Sequence, residues 1–389
     1  MSEILNRNVV VLMLCQILAF SASFSLMLVG GLIGTELSGS ERLGTLPIAA
    51  MVIGTAVGVA PVILLMKKFG RKPVFVAAAL LGVVASLLII YALNQQSFSY
   101  FCAGSALLGV FLASVQQYRF AAMESVSLDQ APTAASMLLL AGVAAAFIGP
   151  ELVLWGKALT TVDYEGSYYV VAVCILLSIS LMTLYQSIEP SEKVVIKGGR
   201  PLSKLLSLSP LWLALLSAAI GYAVMSLVMT ATPVSMHNHF HHSLEDTKWV
   251  LQSHVMAMFL PSLFAPWIIS RIGIHGLIAT GLVAMFAALI VSSQYFSVDG
   301  FWVSLVLLGI GWNFMFVGGT SLLPLVYRDG EQFTVQALND GVVFSIQALA
   351  SFSSGWILAA WQWQGVVLAS IPLLLMPLCL LVWVRFSGK

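Results

Sequence analysis

Charge is scarce in this chain: Asp, Glu, Lys and Arg make up 8% of its 389 residues, while 60% are hydrophobic and the mean hydropathy is +0.99. A water-soluble domain carries about a quarter of its residues as charge, so a soluble fold is excluded. Cysteine is almost absent too. Cys15, Cys102, Cys174 and Cys379 stand singly in separate apolar runs, which rules out a disulfide framework and a thiolate metal site and leaves each as a small apolar side chain. The common catalytic signatures are missing: there is no HExxH helix, no GxxxxGK[ST] phosphate loop, no GxSxG elbow and no polar segment long enough to hold a nucleotide. Enzymes of those classes, and any pump driven by ATP hydrolysis within this chain, are excluded on that ground. A ring of repeated filter residues, which a passive channel needs, is also lacking. No cofactor, no resident metal and no nucleic-acid partner are expected.

What the chain has in quantity is apolar length. A bilayer core about 30 Å thick takes roughly 20 apolar residues per helix. Runs of that length recur at 8–34, 43–66, 73–93, 98–126, 133–157, 166–187, 209–235, 248–270, 275–296, 300–327, 333–358 and 365–385. Twelve helical spans are therefore predicted. The first run is too long for a signal-peptide core and lacks a cleavage site, so it is read as a retained helix.

Lys and Arg are shared unevenly between the loops. Thirteen of the seventeen fall on one side: Arg7, Lys67, Lys68, Arg71, Lys72, Lys193, Lys197, Arg200, Lys204, Arg271, Arg328, Arg385 and Lys389. The opposite loops hold Arg42, Lys157 and Lys248 against seven acids. The positive-inside bias makes the cation-rich side the cytoplasm, both termini included, and places the chain in the cytoplasmic membrane with lipid around it. The polar stretch 188–208 separates an N-terminal six-helix bundle, 1–187, from a C-terminal one, 209–389. A faint echo links the halves at an offset of 200, with Leu-Leu-Gly at 107–109 and 307–309 and a proline at Pro61 and Pro261. Parallel repeats across a central linker are a transporter architecture.

The densest cationic cluster is Lys67-Lys68-Phe69-Gly70-Arg71-Lys72, between the second and third spans. On this layout and this loop the chain resembles the major facilitator superfamily, whose loop pattern is roughly GxLxDRxGRK. Leu65, Gly70, Arg71 and Lys72 match and Lys68 stands at the basic position, whereas Ile63 replaces the opening glycine and Lys67 occupies the acidic position. Arg271 and Gly273 retain a reduced version in the second half. The resemblance implies an all-α integral membrane fold of twelve helices in two six-helix bundles, a monomer working by alternating access around a central site lined by helices 1, 4, 7 and 10. It also implies that Glu124, at the end of helix 4, pairs with Arg71 of the basic loop, so that Lys67, Gly70, Arg71 and Glu124 act in gating.

Polar groups at bilayer depth are expensive, and each is a functional candidate by default. Span 4 carries Gln116, Gln117, Arg119 and Glu124 within an arc of about 160°. Gln116 and Arg119 are substrate candidates, because a guanidinium stays charged and forks two donors toward a carboxylate, phosphate or imide-like acceptor; a permanent pair with Glu124 is the competing role. Span 11 presents Gln336, Asn339, Asp340, Gln347, Ser351 and Ser354 on one face, an arc of about 120°. Asp340 is the foremost proton carrier, since desolvation raises a carboxyl pKa and a moving cation lowers it again, with neutralisation of Lys67 or Arg71 as the alternative. Glu151 in span 5 and His254 in span 8 complete the coupling candidates. Glu151 follows Gly149-Pro150, but Val153 and Leu154 leave the antiporter pattern GPxxGG incomplete.

Gln16 with Phe20 and Ser23, Tyr222 with Ser226 and Thr230, and Asn313 with Phe316 and Thr320 share helical faces and predict a mixed aromatic and amide lining for a small planar or anionic molecule. His237, His239, His241 and His242 crowd one outer loop without regular ligand spacing, which reads as a solvated loop. The expected function is secondary active transport of a small organic solute coupled to protons, leaning to uptake of a nutrient or vitamin-like compound. Proton-antiport efflux of drugs or metabolites is the alternative; a metal-ion transporter and a membrane-embedded enzyme or sensor are remote ones.

Overall fold

In lipid, a backbone can satisfy its own polar groups only as a helix or a closed barrel, and here the apolar runs all become helices. The computed structural model describes residues 6–127, 130–186, 199–328 and 331–387, with no strand among them. Most of the expected linker, 187–198, lies outside the described residues, as does the side chain of Gln336. The chain divides into two compact units, Met1–Pro190 and Ser191–Lys389.

Unit 1 holds α1 (Arg7–Ser38), α2 (Leu46–Phe69), α3 (Arg71–Asn94), α4 (Phe98–Val115, resumed at Tyr118–Glu124), α5 (Ala131–Lys157) and α6 (Glu165–Met182). Unit 2 opens with α7 (Ser209–Val234) and α8 (Leu244–Phe259). The next helix, Ala265–Gln294, bends at Gly273, and α9 is the part beyond the bend. After α10 (Val298–Val326) comes Gln332–Ser387, which Gln362 (φ 55°, ψ −162°) divides into α11 and α12. Among the described residues, ten segments are long and apolar enough to cross a membrane. The division at Gln362 adds an eleventh span, and α8 with its continuation is the twelfth.

Two predicted helices are interrupted. The span expected to run unbroken over 248–270 gives way after Phe259 to a 3₁₀ turn, Leu260–Leu263, because Pro261 has no N–H to offer the helical ladder. The span expected over 98–126 breaks at Gln116–Gln117. There the Gln117 N–H bonds the Ser114 carbonyl three residues back (3.0 Å), while the Ser114 hydroxyl bonds the Phe111 carbonyl (2.8 Å). Serine back-bonding of this kind bends helices.

Packing within each unit depends on small residues. A Cβ at Gly54 would lie 2.1 Å from the Ala106 carbonyl oxygen and one at Gly109 2.0 Å from that of Met51, so α2 and α4 touch backbone to backbone. In unit 2, α7 is enclosed along most of its length. It also receives the last two residues of the polar stripe of α11: Thr230 and Ser351 share a hydroxyl bond of 3.2 Å, and the Ser354 hydroxyl donates to the Leu227 carbonyl at 2.9 Å. Exposed tryptophans gather at the ends of unit 2, with Trp212, Trp267 and Trp383 at one end and Trp249, Trp302 and Trp361 at the other. Membrane proteins place indoles at this level, where an apolar ring and a polar N–H meet different phases.

The α2–α3 turn and the bend before α9 share one backbone conformation. Gly70 has φ 83° and ψ 168°, and Gly273 has φ 73° and ψ 171°, a region that is essentially glycine's alone.

Candidate functional site

The glycine turn delivers Arg71 at the first position of α3, beside the resumed tail of α4. Its Nε donates to Glu124 Oε2 at 2.7 Å and its Nη2 to Oε1 at 2.6 Å, a forked charge-assisted pair. Lys72 turns the other way, donating to the Thr183 and Tyr185 carbonyls at 2.7 and 2.8 Å, where it caps the end of α6. Asn8 exchanges two bonds of 2.9 Å with the Gln186 backbone. The basic end of unit 1 is thus tied across its helices, with Lys67 exposed beside it.

Other candidates in unit 1 are more dispersed. The Gln16 amide donates to the Leu138 carbonyl at 2.6 Å, which joins α1 to α5. Gln116 is half-buried at the break in α4. Arg119, just beyond the break, is exposed with its guanidinium 4.7 Å from the Phe120 ring centre; Arg71, not Arg119, holds Glu124. Glu151 is half-buried on α5 and belongs to a different unit from His254.

Unit 2 gathers its candidates around a ring cluster. Tyr222 and Phe316 meet edge to face at 5.3 Å, and Trp312, one turn before Phe316, stacks on it at 5.3 Å with 5° between planes. Tyr222 is edge-on to Trp312 at 4.9 Å, Phe259 approaches Trp312 at 6.1 Å, and Phe344 of α11 lies 6.4 Å from Tyr222. Tyr222 and Phe316 were visible in sequence, whereas Trp312, Phe259 and Phe344 were lost among ordinary apolar residues. The signal for Trp312 is its four-residue spacing to Phe316, next to Asn313.

Two polar atoms on consecutive residues here are buried without a partner among the described residues: the Trp312 indole N–H, a donor, and Asn313 Oδ1, an acceptor. The Asn313 amide nitrogen is committed, donating to the Met258 carbonyl at 2.7 Å and the Ser262 hydroxyl at 2.5 Å on either side of the break in α8. Buried polar atoms are nearly always satisfied, so each exception needs an explanation, and a ligand is one.

His254 is fully buried, with Nδ1 2.7 Å from the Leu305 carbonyl. A carbonyl only accepts, so Nδ1 carries the proton of the neutral ring and Nε2 is the acceptor; it has no partner among the described residues. Asp340 differs from the desolvated carboxylate expected from sequence. It is exposed, and accepts from the amide of buried Asn339 at 3.2 Å. The histidine loop is locally folded: a π turn spans Ser235–His239, His237 Nδ1 lies 3.1 Å from the His242 carbonyl, and His242 Nε2 lies 2.7 Å from that of Phe296. No group of three or more metal-ligating side chains forms among the described residues.

The basic end of unit 2 holds a carboxylate that sequence reading passed over. Glu331, 2% exposed, accepts from Arg200 Nε at 2.8 Å, Arg200 Nη2 at 2.7 Å, the Arg200 backbone N–H at 2.7 Å and the Arg328 backbone N–H at 2.9 Å. The hydrogen bonds from the Arg200 side chain, with the backbone donors added, hold its carboxyl down at about 2.

Residues 12–338 match the family description of the Major Facilitator Superfamily. The chain belongs to that superfamily. Its relatives include the riboflavin transporter RfnT of Brucella anthropi, 33% identical over 381 residues and aligned over 96% of each chain. An uncharacterized MFS-type transporter of Bacillus subtilis, YddS, is 25% identical over 91% of this chain and 84% of its own length. Among solved structures, a point mutant of the nucleoside transporter NupG superposes with a TM-score of 0.78 over 96% of this chain and 100% of that one at 13% identity. A bacterial homolog of the human lysosomal transporter Spinster, inward-facing and occupied, gives 0.75 over 97% and 96%, also at 13% identity. This superfamily member is accordingly a multi-pass membrane transporter of a small-molecule substrate and not an enzyme.

Proposed function

We propose that the protein takes up riboflavin, or a vitamin with a similar planar heterocycle, across the cytoplasmic membrane by alternating access coupled to protons. The observation that carries this reading is the ring cluster of α7 and α10 with its two unpartnered atoms, the Trp312 N–H and Asn313 Oδ1. A flat heteroaromatic solute has a face that stacks on such rings and an edge of carbonyls and ring nitrogens that accepts from an indole. The resemblance to RfnT over nearly the whole chain supports the same solute.

Asp340 is the proton carrier: it is an exposed carboxylate on a helix whose Ser351 and Ser354 are bonded to α7. Glu151 and His254 are further coupling candidates. Arg71, Glu124, Gly70 and Lys67 form the cytoplasmic gate, because a forked ion pair at two helix ends is a contact that can open as a unit. The cation-rich loops and both termini face the cytoplasm.

The test is accumulation of radiolabelled riboflavin by proteoliposomes of the purified protein under an imposed pH gradient, with uridine and thymidine as competitors. Uptake above that of protein-free liposomes, abolished by collapsing the gradient and untouched by nucleosides, is expected. Riboflavin counts equal to those of empty liposomes would sink the reading.

A further inference from the structure

The two units close their basic ends with the same chemistry but draw the cation from different places. In unit 1, Gly70 is followed by Arg71, which forks onto Glu124 after α4 breaks. In unit 2 the matching glycine, Gly273, is followed by Ile274, so the position that supplies the guanidinium is apolar. The cation of that turn, Arg271, precedes the glycine and lies 5.9 Å from the Trp267 ring centre. Yet a carboxylate does follow α10, as one ends α4, and it is Glu331. Its guanidinium arrives from 131 residues away, at the end of the linker.

Arg200 is seated more fully than Arg71. Besides the fork, its backbone N–H donates to Glu331 and its Nη2 donates to the Val326 carbonyl, at the last residue of α10, at 2.8 Å. Pro201 follows at once and leads into a short helix, Leu202–Leu205, whose last side chain is fully buried. The side-chain exposure of the acid is 2% here against 48% at Glu124. A buried ion pair adds little stability over an apolar contact of similar size, and its best-attested use is to specify one arrangement over another.

We infer that Arg200 is the second unit's counterpart of Arg71, so that the linker end is a working part of the transport cycle and not a passive tether. Arg200 is a positioning residue. It acts through Glu331 on the turn between α10 and α11, holding that turn in one of the arrangements the cycle visits. The inference is independent of which solute is carried.

The full-length chain tests it in two ways. Hydrogen exchange in nanodiscs reads the contact without any solute: the Arg200 and Arg328 amides, both bonded to Glu331, should exchange at least tenfold faster in Glu331→Gln, and unchanged exchange overturns the proposal. Riboflavin uptake by proteoliposomes reads the role. Arg200→Ala should lower the maximal rate about tenfold, as should Arg71→Ala, with riboflavin affinity unchanged. Arg200→Lys should recover part of the rate, and the reversed pair Arg200→Glu/Glu331→Arg should exceed either single reversal. A rate for Arg200→Ala within twofold of the unmodified protein overturns the inference, as does a loss matched by the loss of folded protein. If the unmodified protein moves no riboflavin, the assignment of the solute fails, and exchange at the α10–α11 turn decides this inference: Arg200→Ala should speed exchange of the Arg328 amide at least tenfold, and unchanged exchange there overturns it.

Discussion

Replacing Trp312 by Phe isolates one atom's contribution to solute recognition. The substitution keeps a ring against Tyr222, Phe316 and Phe259 and removes the indole N–H, which has no acceptor among the described residues. In the empty protein two effects oppose each other. An unsatisfied buried donor costs about 1–3 kcal/mol, which the variant recovers, while the smaller ring gives up packing of similar size. The thermal midpoint should therefore move little. With solute bound, only the native side chain offers a hydrogen bond in exchange for its buried N–H, so the variant loses about 1–2 kcal/mol of binding, a factor of about 5 to 30 in affinity. Trp312→Ala is the contrast, because it removes three ring contacts and should cost about 3–5 kcal/mol of stability. Riboflavin titration of each purified variant by flavin fluorescence, with thermal unfolding alongside, separates these cases. A Trp312→Phe affinity within twofold of the native value, or a stability loss as large as that of the alanine variant, refutes the donor role.

Asp340→Asn should abolish riboflavin accumulation driven by a pH gradient while leaving exchange of labelled for unlabelled riboflavin intact; undiminished accumulation removes Asp340 as the carrier. The Glu331 carboxyl is lowered from 4.5 to about 2 in the folded protein. Its stabilising contribution is thus fully present above about pH 4.5 and is lost as pH falls through 2. The native protein's unfolding midpoint should drop more steeply between those pH values than that of Glu331→Gln, and parallel curves would contradict the pairing. Asn313→Leu deprives Met258 and Ser262 of their shared donor but also removes an unpartnered oxygen, for a net loss of about 1 kcal/mol. An unfolding midpoint above the native value would show that Asn313 does not brace α8.

Spans, their number and the basic ends were legible because they depend on local quantities, apolar length and the placement of cations. The Arg71–Glu124 pair was also within reach, since the loop resembles a known pattern and Glu124 is the acid at the end of the following repeat helix. Glu331 was not. It sits in a short run of mixed charges after Arg328, and its partner stands in a linker with several other cations. The breaks in α4 and α8 had local causes, Ser114 and Pro261, but membrane helices often carry serine and proline without breaking. Polarity singled out Asn313, and shared helical faces singled out Tyr222 and Phe316, whereas Trp312, Phe259 and Phe344 matched the apolar background. Asp340 stood out for the same reason, and sequence could not say that its side chain would be exposed while Asn339 beside it was buried.

Hydropathy and charge placement were enough to settle that this chain crosses a membrane as twelve helices in two sets of six, because lipid leaves an apolar backbone no other choice and cations resist crossing. Tertiary packing decided which polar groups are spent on structure and which are left for chemistry. Gln16 is joined to α5, Ser351 of α11 to α7, and Arg200 to a carboxylate beyond α10. Each of these bonds spans more than a hundred residues. Helical periodicity relates neighbours three and four positions apart and carries no information about which distant backbone will arrive within 3 Å.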